Sequence, residues 1–235
     1  MPYFVREQTA SLAFRRGTPE AHKQAARRNG QIHHRTETYK GFSDLELTAA
    51  WRTKNIPLLG EGSVFRFSLG TTIPVGDTEN DPWVLGDRGL EHLHIQFGNG
   101  TFDPVLDAYI GAPINQHFAW GVYSKARLPF YRNHRGYRGS PELTCVPRLT
   151  WLPTERTSVT LGASAIYYGY SSWESGRDRS SGQFSALANL GVGYKVTDSL
   201  TANASVLIPF YTDSFSTEDS MDPAPTVSFT IGFSF

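Results

Sequence analysis

Apolar and polar residues alternate with a period of two along most of the chain. The C-terminal stretch 226–235 shows the pattern most clearly, because large apolar side chains occupy every second position there. Successive side chains of a β-strand point to opposite faces of a sheet, so such a stretch predicts a strand with one apolar and one polar face. Nine further stretches show the same alternation, over residues 9–16, 42–52, 63–73, 104–113, 117–131, 141–152, 158–170, 182–196 and 199–210.

The connections between these stretches alternate in length. Residues 113–116, 153–156 and 197–199 form short turns, whereas residues 76–103 and 212–224 form long polar loops. Short turns at one end of the strands and long loops at the other are typical of outer-membrane barrels. The sequence therefore predicts an all-β fold, a transmembrane antiparallel up-and-down β-barrel with about ten visible strands and about ten to twelve in the full protein.

Aromatic residues collect near both ends of the predicted strands. With the C-terminus on the periplasmic side, the group at the short-turn end comprises Trp51, Trp120, Trp151, Tyr194 and Phe235. The group at the long-loop end comprises Phe130, Phe210 and Tyr211. Aromatic girdles mark the two interfaces of a membrane in this way. We therefore expect residues 1–235 to form one barrel domain in the cell outer membrane, in contact with outer-membrane lipid.

Two segments depart from the strand pattern. Thr18 can cap a helix, Pro19 suits the first helical position and Gly30 suits a stop, so a short helix is predicted over residues 18–29. Residues 76–103 are predicted to form the longest loop on the outer side.

Composition narrows the functional classes. Lys and Arg total 22 and so do Asp and Glu, so the net charge is zero and no nucleic-acid partner is expected. A single cysteine excludes an internal disulfide and a cysteine-rich metal site. Residues 1–17 lack the basic, apolar and small-residue regions of a signal peptide, so we expect the chain to begin inside a longer protein.

Charged residues accumulate on the predicted inward face of the strands. They are Asp44, Glu46, Arg52, Arg66, Asp107, Lys125, Arg127, Glu142, Arg148 and Lys195. A buried charge must be paired or hydrated, so two states are open. The charges either line a water path and set its selectivity, or lock into a network that fills the barrel. Cations outnumber acids, which favours anionic solutes.

Catalytic and metal-binding patterns are weak. No G-x-S-x-G motif occurs, and no catalytic residue or cofactor is predicted. His92 and His94 lie two residues apart and are weak metal candidates that need a third ligand, which His33 or His34 could supply. The expected function is passive passage of small solutes. The alternatives are a barrel enzyme that modifies outer-leaflet lipid and a plugged structural barrel.

The last strand is predicted to close the barrel. Its aromatic end is expected to be the signal that the outer-membrane assembly machinery reads, carried by Phe229, Ile231, Phe233 and Phe235.

Short motifs within residues 41–112 resemble a family of outer-membrane transporters named for the meta-pathway of phenol degradation. The matching residues are Gly41, Asp44, Leu45 and Leu47, then Gly70, Pro74, Gly76 and Asp77, then Gln96, Gly98, Gly100, Asp103 and Pro104. The resemblance implies an outer-membrane barrel that passes small, often hydrophobic or aromatic, molecules. It assigns no catalytic residues.

Overall fold

The computed structural model describes residues 3–8, 18–21, 23–24, 37–92, 96–216 and 223–233. Its main sheet consists of β3 (Leu45–Lys54), β4 (Val64–Ile73), β5 (Pro104–Pro113), β6 (Phe118–Arg127), β7 (Glu142–Trp151), β8 (Thr157–Tyr168), β11 (Gln183–Lys195), β12 (Leu200–Ser214) and β13 (Thr226–Phe233). These nine strands are antiparallel, in the order β13-β12-β11-β8-β7-β6-β5-β4-β3. Each strand thus lies beside the one that precedes it in the meander, which confirms the predicted up-and-down connectivity.

Two pairs of antiparallel strands lie outside the main sheet. Strand β1 (Tyr3–Gln8) pairs with β2 (Glu37–Phe42) in a sheet of their own. Strand β9 (Ser172–Trp173) pairs with β10 (Gly176–Arg177) in the loop that joins β8 to β11. The alternation of side chains predicted neither of these strand pairs. The strand predicted over residues 9–16 lies outside the described residues.

Helical structure is confined to short pieces. Within the predicted helix 18–29, residues 19–21 and 23–24 are helical, and the Thr18 hydroxyl accepts the backbone N–H of Ala21 at 3.3 Å. A second helix, Pro82–Asp87, lies in the long loop after β4, and the Asp81 carboxylate caps its start. Among the described residues, no helix is long and apolar enough to cross a membrane.

The two faces of the main sheet have opposite polarity. Large apolar side chains on the outward face are exposed, such as Phe229 at 81%, Phe210 at 67% and Trp51 at 60%. Small polar side chains on the inward face are buried, such as Ser68 at 0% and Thr72 at 2%. A soluble protein buries the apolar face of a sheet, whereas a membrane barrel presents that face to lipid. The arrangement is therefore that of a membrane barrel wall.

The sheet ends at β3 on one side and at β13 on the other. Among the described residues these two strands are not hydrogen-bonded to each other, so the sheet is not closed in the structure. Unpaired backbone groups at a sheet edge are costly in lipid, because no water is present to satisfy them.

Candidate functional site

Lys125 and Glu46 form an ion pair on the inward face, with Nζ 2.8 and 2.7 Å from the two carboxylate oxygens. Strands β4 and β5 lie between them, and the register places Lys125 level with Ala50 rather than with Glu46. In a flat sheet their Cα atoms would be about 14 Å apart both across and along the strands, or roughly 20 Å in all. That separation exceeds the combined reach of the two side chains. The inward face must therefore be concave.

Arg127 and Glu142 form a second ion pair, near the long-loop end of the sheet. They lie directly opposite each other on β6 and β7, and Arg127 Nη2 contacts Glu142 Oε1. Their side chains are about equally exposed, at 27% and 28%. The pair therefore faces a partly open space rather than a packed core.

Two arginines face each other near the short-turn end. Arg52 on β3 lies directly opposite Arg66 on β4. Arg66 Nη2 lies 3.7 Å from Asp107 Oδ1, and the Asp107 side chain is only 8% exposed. No carboxylate within the described ranges forms an ion pair with Arg52. Of the two facing guanidinium groups, only that of Arg66 is therefore paired with an acid among the described residues.

Arg148 interacts with an aromatic ring rather than with an acid. Its Cζ lies 4.9 Å from the ring centroid of Tyr109, a cation–π contact. The Tyr109 hydroxyl lies against Gly111 and Gly121, where a Cβ atom would come within 2.5 and 2.6 Å of it. These two glycines face each other on β5 and β6, so they leave a shallow groove that holds the tyrosine flat against the wall.

Lys195 lies at the end of β11 and pairs locally. Its Nζ is 2.9 Å from Asp198 Oδ1 in the following turn. The hydrogen bond and the charge of Lys195 lower the pKa of the Asp198 carboxyl. Because Asp198 is fully exposed, this pair belongs to the rim of the barrel rather than to its interior.

The long-loop end is covered by three loops over residues 74–92 with 96–103, 128–141 and 169–182, which we call the cap. Asp44, predicted as an inward charge, joins the strands to this cap. Its carboxylate accepts the backbone N–H groups of Gly76 at 3.0 Å, Asn99 at 2.7 Å and Gly100 at 3.2 Å. At Gly98 a Cβ atom would lie 2.5 Å from Asp44 Oδ1, so this close approach requires a glycine.

A second buried carboxylate, Asp103, holds the end of the longest loop. It accepts the hydroxyl of Thr101 at 2.6 Å and the side-chain amide of Asn99 at 2.7 Å. The Thr72 hydroxyl donates to the Thr101 carbonyl and accepts the Asp103 N–H, each at 2.8 Å. Thr72 belongs to the inward face of β4. Residues 99–103 are therefore bound to the inward face of β4 at the long-loop end of the sheet.

The other two loops of the cap are hydrogen-bonded to the longest loop. Asn133 Nδ2 donates to the Asn99 carbonyl at 2.8 Å. Trp83 Nε1 donates to the Asp178 carboxylate at 3.3 Å, which links the longest loop to residues 169–182. The cap is thus one hydrogen-bonded unit rather than three independent loops.

The cap has its own small aromatic core. The rings of Tyr137 and Trp173 pack at 4.7 Å between centroids, and Trp173 is only 2% exposed. Burial raises the pKa of Tyr137 to about 12, because the charged phenolate is poorly solvated there. Sequence reasoning missed this core, since no regular alternation marks loop residues.

The motif residues of the longest loop and of the strand ends meet in the cap. Asp77 accepts the N–H of Phe42 at 2.9 Å through its carboxylate, and its carbonyl accepts the N–H of Gly98 at 2.9 Å. The hydrogen bonds of Asp44 and Asp103 join the same three sequence stretches. The motifs that carry the family resemblance therefore build the attachment of the cap to the sheet.

The weak metal candidates do not form a described site. His92 is buried at 8% exposure, and its Nδ1 lies 2.9 Å from the Leu90 carbonyl. His94 lies outside the described residues, as do His33 and His34. Within the part of the chain that the structure describes, no group of three potential ligands could hold a metal ion.

The C-terminal strand follows its predicted pattern as far as it is described. Phe229, Ile231 and Phe233 lie on one face of β13, with exposures of 81%, 67% and 69%. Phe235 lies outside the described residues.

Comparison with known proteins gives a match to a solved structure but none to a family model or to a curated protein. A crystal structure of an outer membrane channel from Pseudomonas putida F1 matches with a TM-score of 0.58 at 12% sequence identity. The match covers 83% of this chain and 66% of that chain, so this chain spans just under two thirds of the channel's length. The chain therefore has the antiparallel up-and-down fold of an outer-membrane β-barrel.

Proposed function

We propose that the protein is a passive channel for small solutes, whose concave inward face lines a water path. The observation that supports this most directly is the pair of inward arginines, Arg52 and Arg148, which have no carboxylate partner among the described residues. An unpaired guanidinium in a dry interior would be very costly. Water in the barrel removes that cost, and a water-filled barrel is a conducting path.

The fold likeness to an outer membrane channel supports a channel role and an outer-membrane location. The exposed apolar outward face supports contact with outer-membrane lipid. The resemblance to transporters of the phenol meta-pathway type supports small hydrophobic or aromatic solutes as the cargo. Insertion by the outer-membrane assembly machinery through the C-terminal strand completes the proposal.

Planar-bilayer recording of the refolded chain tests the channel, with folding checked by heat-dependent gel mobility. We expect reproducible unitary current steps. A correctly folded barrel that gives no steps over many insertions would contradict the proposal. A heat-unfolded sample of the same preparation is the control, because it contains the same lipids and detergent.

A plugged structural barrel is the second candidate, and the cap is the observation that favours it. The buried carboxylates Asp44 and Asp103 bind residues 99–103 to the strand ends at the mouth of the concave face. Replacing residues 79–103 by a short Gly-Ser linker removes this segment and separates the two functions. Current from the shortened chain but not from the full chain would mean that the cap gates the path. Silence of both would favour the structural role.

A further inference from the structure

We propose that Arg52, Arg66 and Arg148 form a binding site for a small oxyanion, such as a carboxylate or a phosphate, on the inward face near the short-turn end. This proposal concerns the solute of the same inward face and so rests on the proposed channel. It goes further by assigning the charge class of the solute and the residues that bind it.

The arrangement of the three guanidinium groups is the first argument. Arg52 lies opposite Arg66, and Arg66 lies opposite Tyr109 in the next strand pair. Arg148 lies over the same tyrosine, with its Cζ 4.9 Å from the ring centroid. Arg66 and Arg148 thus lie beside the same tyrosine, and Arg52 lies beside Arg66 on the neighbouring strand. A planar guanidinium presents paired N–H donors that match the two oxygens of a carboxylate or a phosphate.

The local charge balance is the second argument. Among the described residues, Asp107 is the acidic group that forms an ion pair with a member of this cluster, at 3.7 Å from Arg66. Within the described residues the cluster therefore carries about two uncompensated positive charges. Like charges directly opposite each other on neighbouring strands are destabilising. A bound anion between the arginines removes this repulsion, so the protein gains stability when the site is occupied.

The distribution of charge along the strands is the third argument. On β3 the acid Glu46 lies near the cap and Arg52 lies near the short turn. On β7 the acid Glu142 lies near the cap and Arg148 lies near the short turn. Both acids are ion-paired, Glu46 with Lys125 and Glu142 with Arg127. The inward face is therefore balanced near the cap and positive near the short turns.

Equilibrium binding to the refolded full chain in zwitterionic detergent tests the site. Inorganic pyrophosphate and citrate are titrated separately by calorimetry, so that the two oxyanion classes are distinguished. We expect Arg52→Gln and Arg148→Gln each to weaken binding of the better probe by about tenfold, because each removes charged hydrogen bonds. Arg156→Gln is the matched control, since it removes the same charge from an exposed turn at the same end of the barrel.

Stability of the variants provides a second readout that does not depend on a probe. Arg52→Gln relieves the repulsion with Arg66, so we expect it to unfold at a higher temperature than the wild type in anion-poor buffer. We also expect it to gain less stability from added pyrophosphate. A merely structural Arg52 would give the opposite result, a less stable variant with the same gain from pyrophosphate.

The outcomes separate this site from the channel itself. Equal binding by Arg52→Gln, Arg148→Gln and Arg156→Gln would overturn the oxyanion site, even if the wild type conducts. Binding that depends on Arg52 and Arg148 in a protein without unitary steps would uphold the site and reject the channel. In a conducting protein under a KCl gradient, we expect the wild type to prefer chloride and both cluster variants to lose part of that preference.

Discussion

The Tyr109 ring lies flat against the inward wall with the Arg148 guanidinium above it, 4.9 Å from the ring centroid. The flat position depends on Gly111 and Gly121, which leave no side chain beneath the hydroxyl. The glycine pair therefore keeps a bulky aromatic group against the wall and out of the concave interior.

The first prediction concerns Gly121. We expect Gly121→Ala to push the Tyr109 ring away from the wall and to lower the unitary conductance in planar bilayers, because the new methyl group would lie 2.6 Å from the hydroxyl. The double variant Gly121→Ala with Tyr109→Ala should restore the conductance. Gly191→Ala is the control on the same face, where the nearest atoms lie at an ordinary 3.6 Å. Unchanged current in Gly121→Ala would contradict the idea.

The second prediction concerns the ion pair that bridges the concave face. Both partners are about one third exposed, so we expect Glu46→Gln and Lys125→Gln each to cost no more than about 1 kcal/mol of unfolding free energy. The exchanged pair, Glu46→Lys with Lys125→Glu, should recover most of that loss. A double-mutant cycle on the temperature of gel-shift unfolding measures the coupling. A coupling of zero would mean that the pair does not hold β3 and β6 together.

The third prediction concerns the attachment of the cap. Asp44→Ala leaves three backbone N–H groups without their acceptor, at a cost of about 1–3 kcal/mol for each group that stays buried and unpaired. We expect faster hydrogen exchange and proteolysis in residues 96–103 and little change in the strands. Asp198→Ala is the control, since it removes an exposed carboxylate. Protection that is equal in the two variants would count against Asp44 as the anchor.

The fourth prediction concerns pH. Burial raises the pKa of Glu79, and the nearby Asp77 raises it further, while Arg135 opposes both effects. A carboxyl with a raised pKa in the folded state contributes stability below its unfolded value of 4.5, and this contribution is lost as the pH rises through the folded value. We expect the protection of the cap against hydrogen exchange to fall as the pH rises from 4.5 through the folded pKa of Glu79. Glu79→Gln should remove that part of the pH dependence, and a wild-type profile identical to that of the variant would contradict it.

The fifth prediction concerns the C-terminal strand. We expect removal of Phe235 to reduce insertion by the assembly machinery in reconstituted membranes, while detergent refolding of the same chain is less affected. Removal of the outward-facing aromatic group at Phe210 is the control, because it deletes similar apolar area from another strand. Equal insertion of both variants would contradict an assembly signal at Phe235.

Side-chain alternation predicted which residue belongs to which face of the sheet, but it could not predict contacts across the barrel. Ser68 and Phe67 lie on opposite faces, as the period of two requires, and only Ser68 is buried. The pairing of Lys125 with Glu46 depends on curvature, which no local pattern encodes. The Tyr109 groove was missed for a related reason, because it requires two glycines on different strands to lie in register.

The cap was the least predictable part of the molecule. Its members are loop residues whose contacts follow no repeat, and Asn99 and Asn133 were not singled out from the sequence at all. The Gly-rich motifs near residues 76 and 98 were the available signal, since glycines of this kind mark close backbone approach. Strand β2 was missed because Glu37–Phe42 lacks regular alternation.

The anchoring of the cap at Asp44 also has a consequence for the order of folding. The hydrogen bonds from Asp44 to Asn99 and Gly100 join residues 55 and 56 positions apart in the chain. Contacts between residues so far apart in the chain form slowly, because closing the intervening loop costs entropy before any hydrogen bond is made. The hairpins β3–β4 and β4–β5 bring these residues together, so the cap forms after them. We therefore expect the mouth of the barrel to be open first and covered last during insertion.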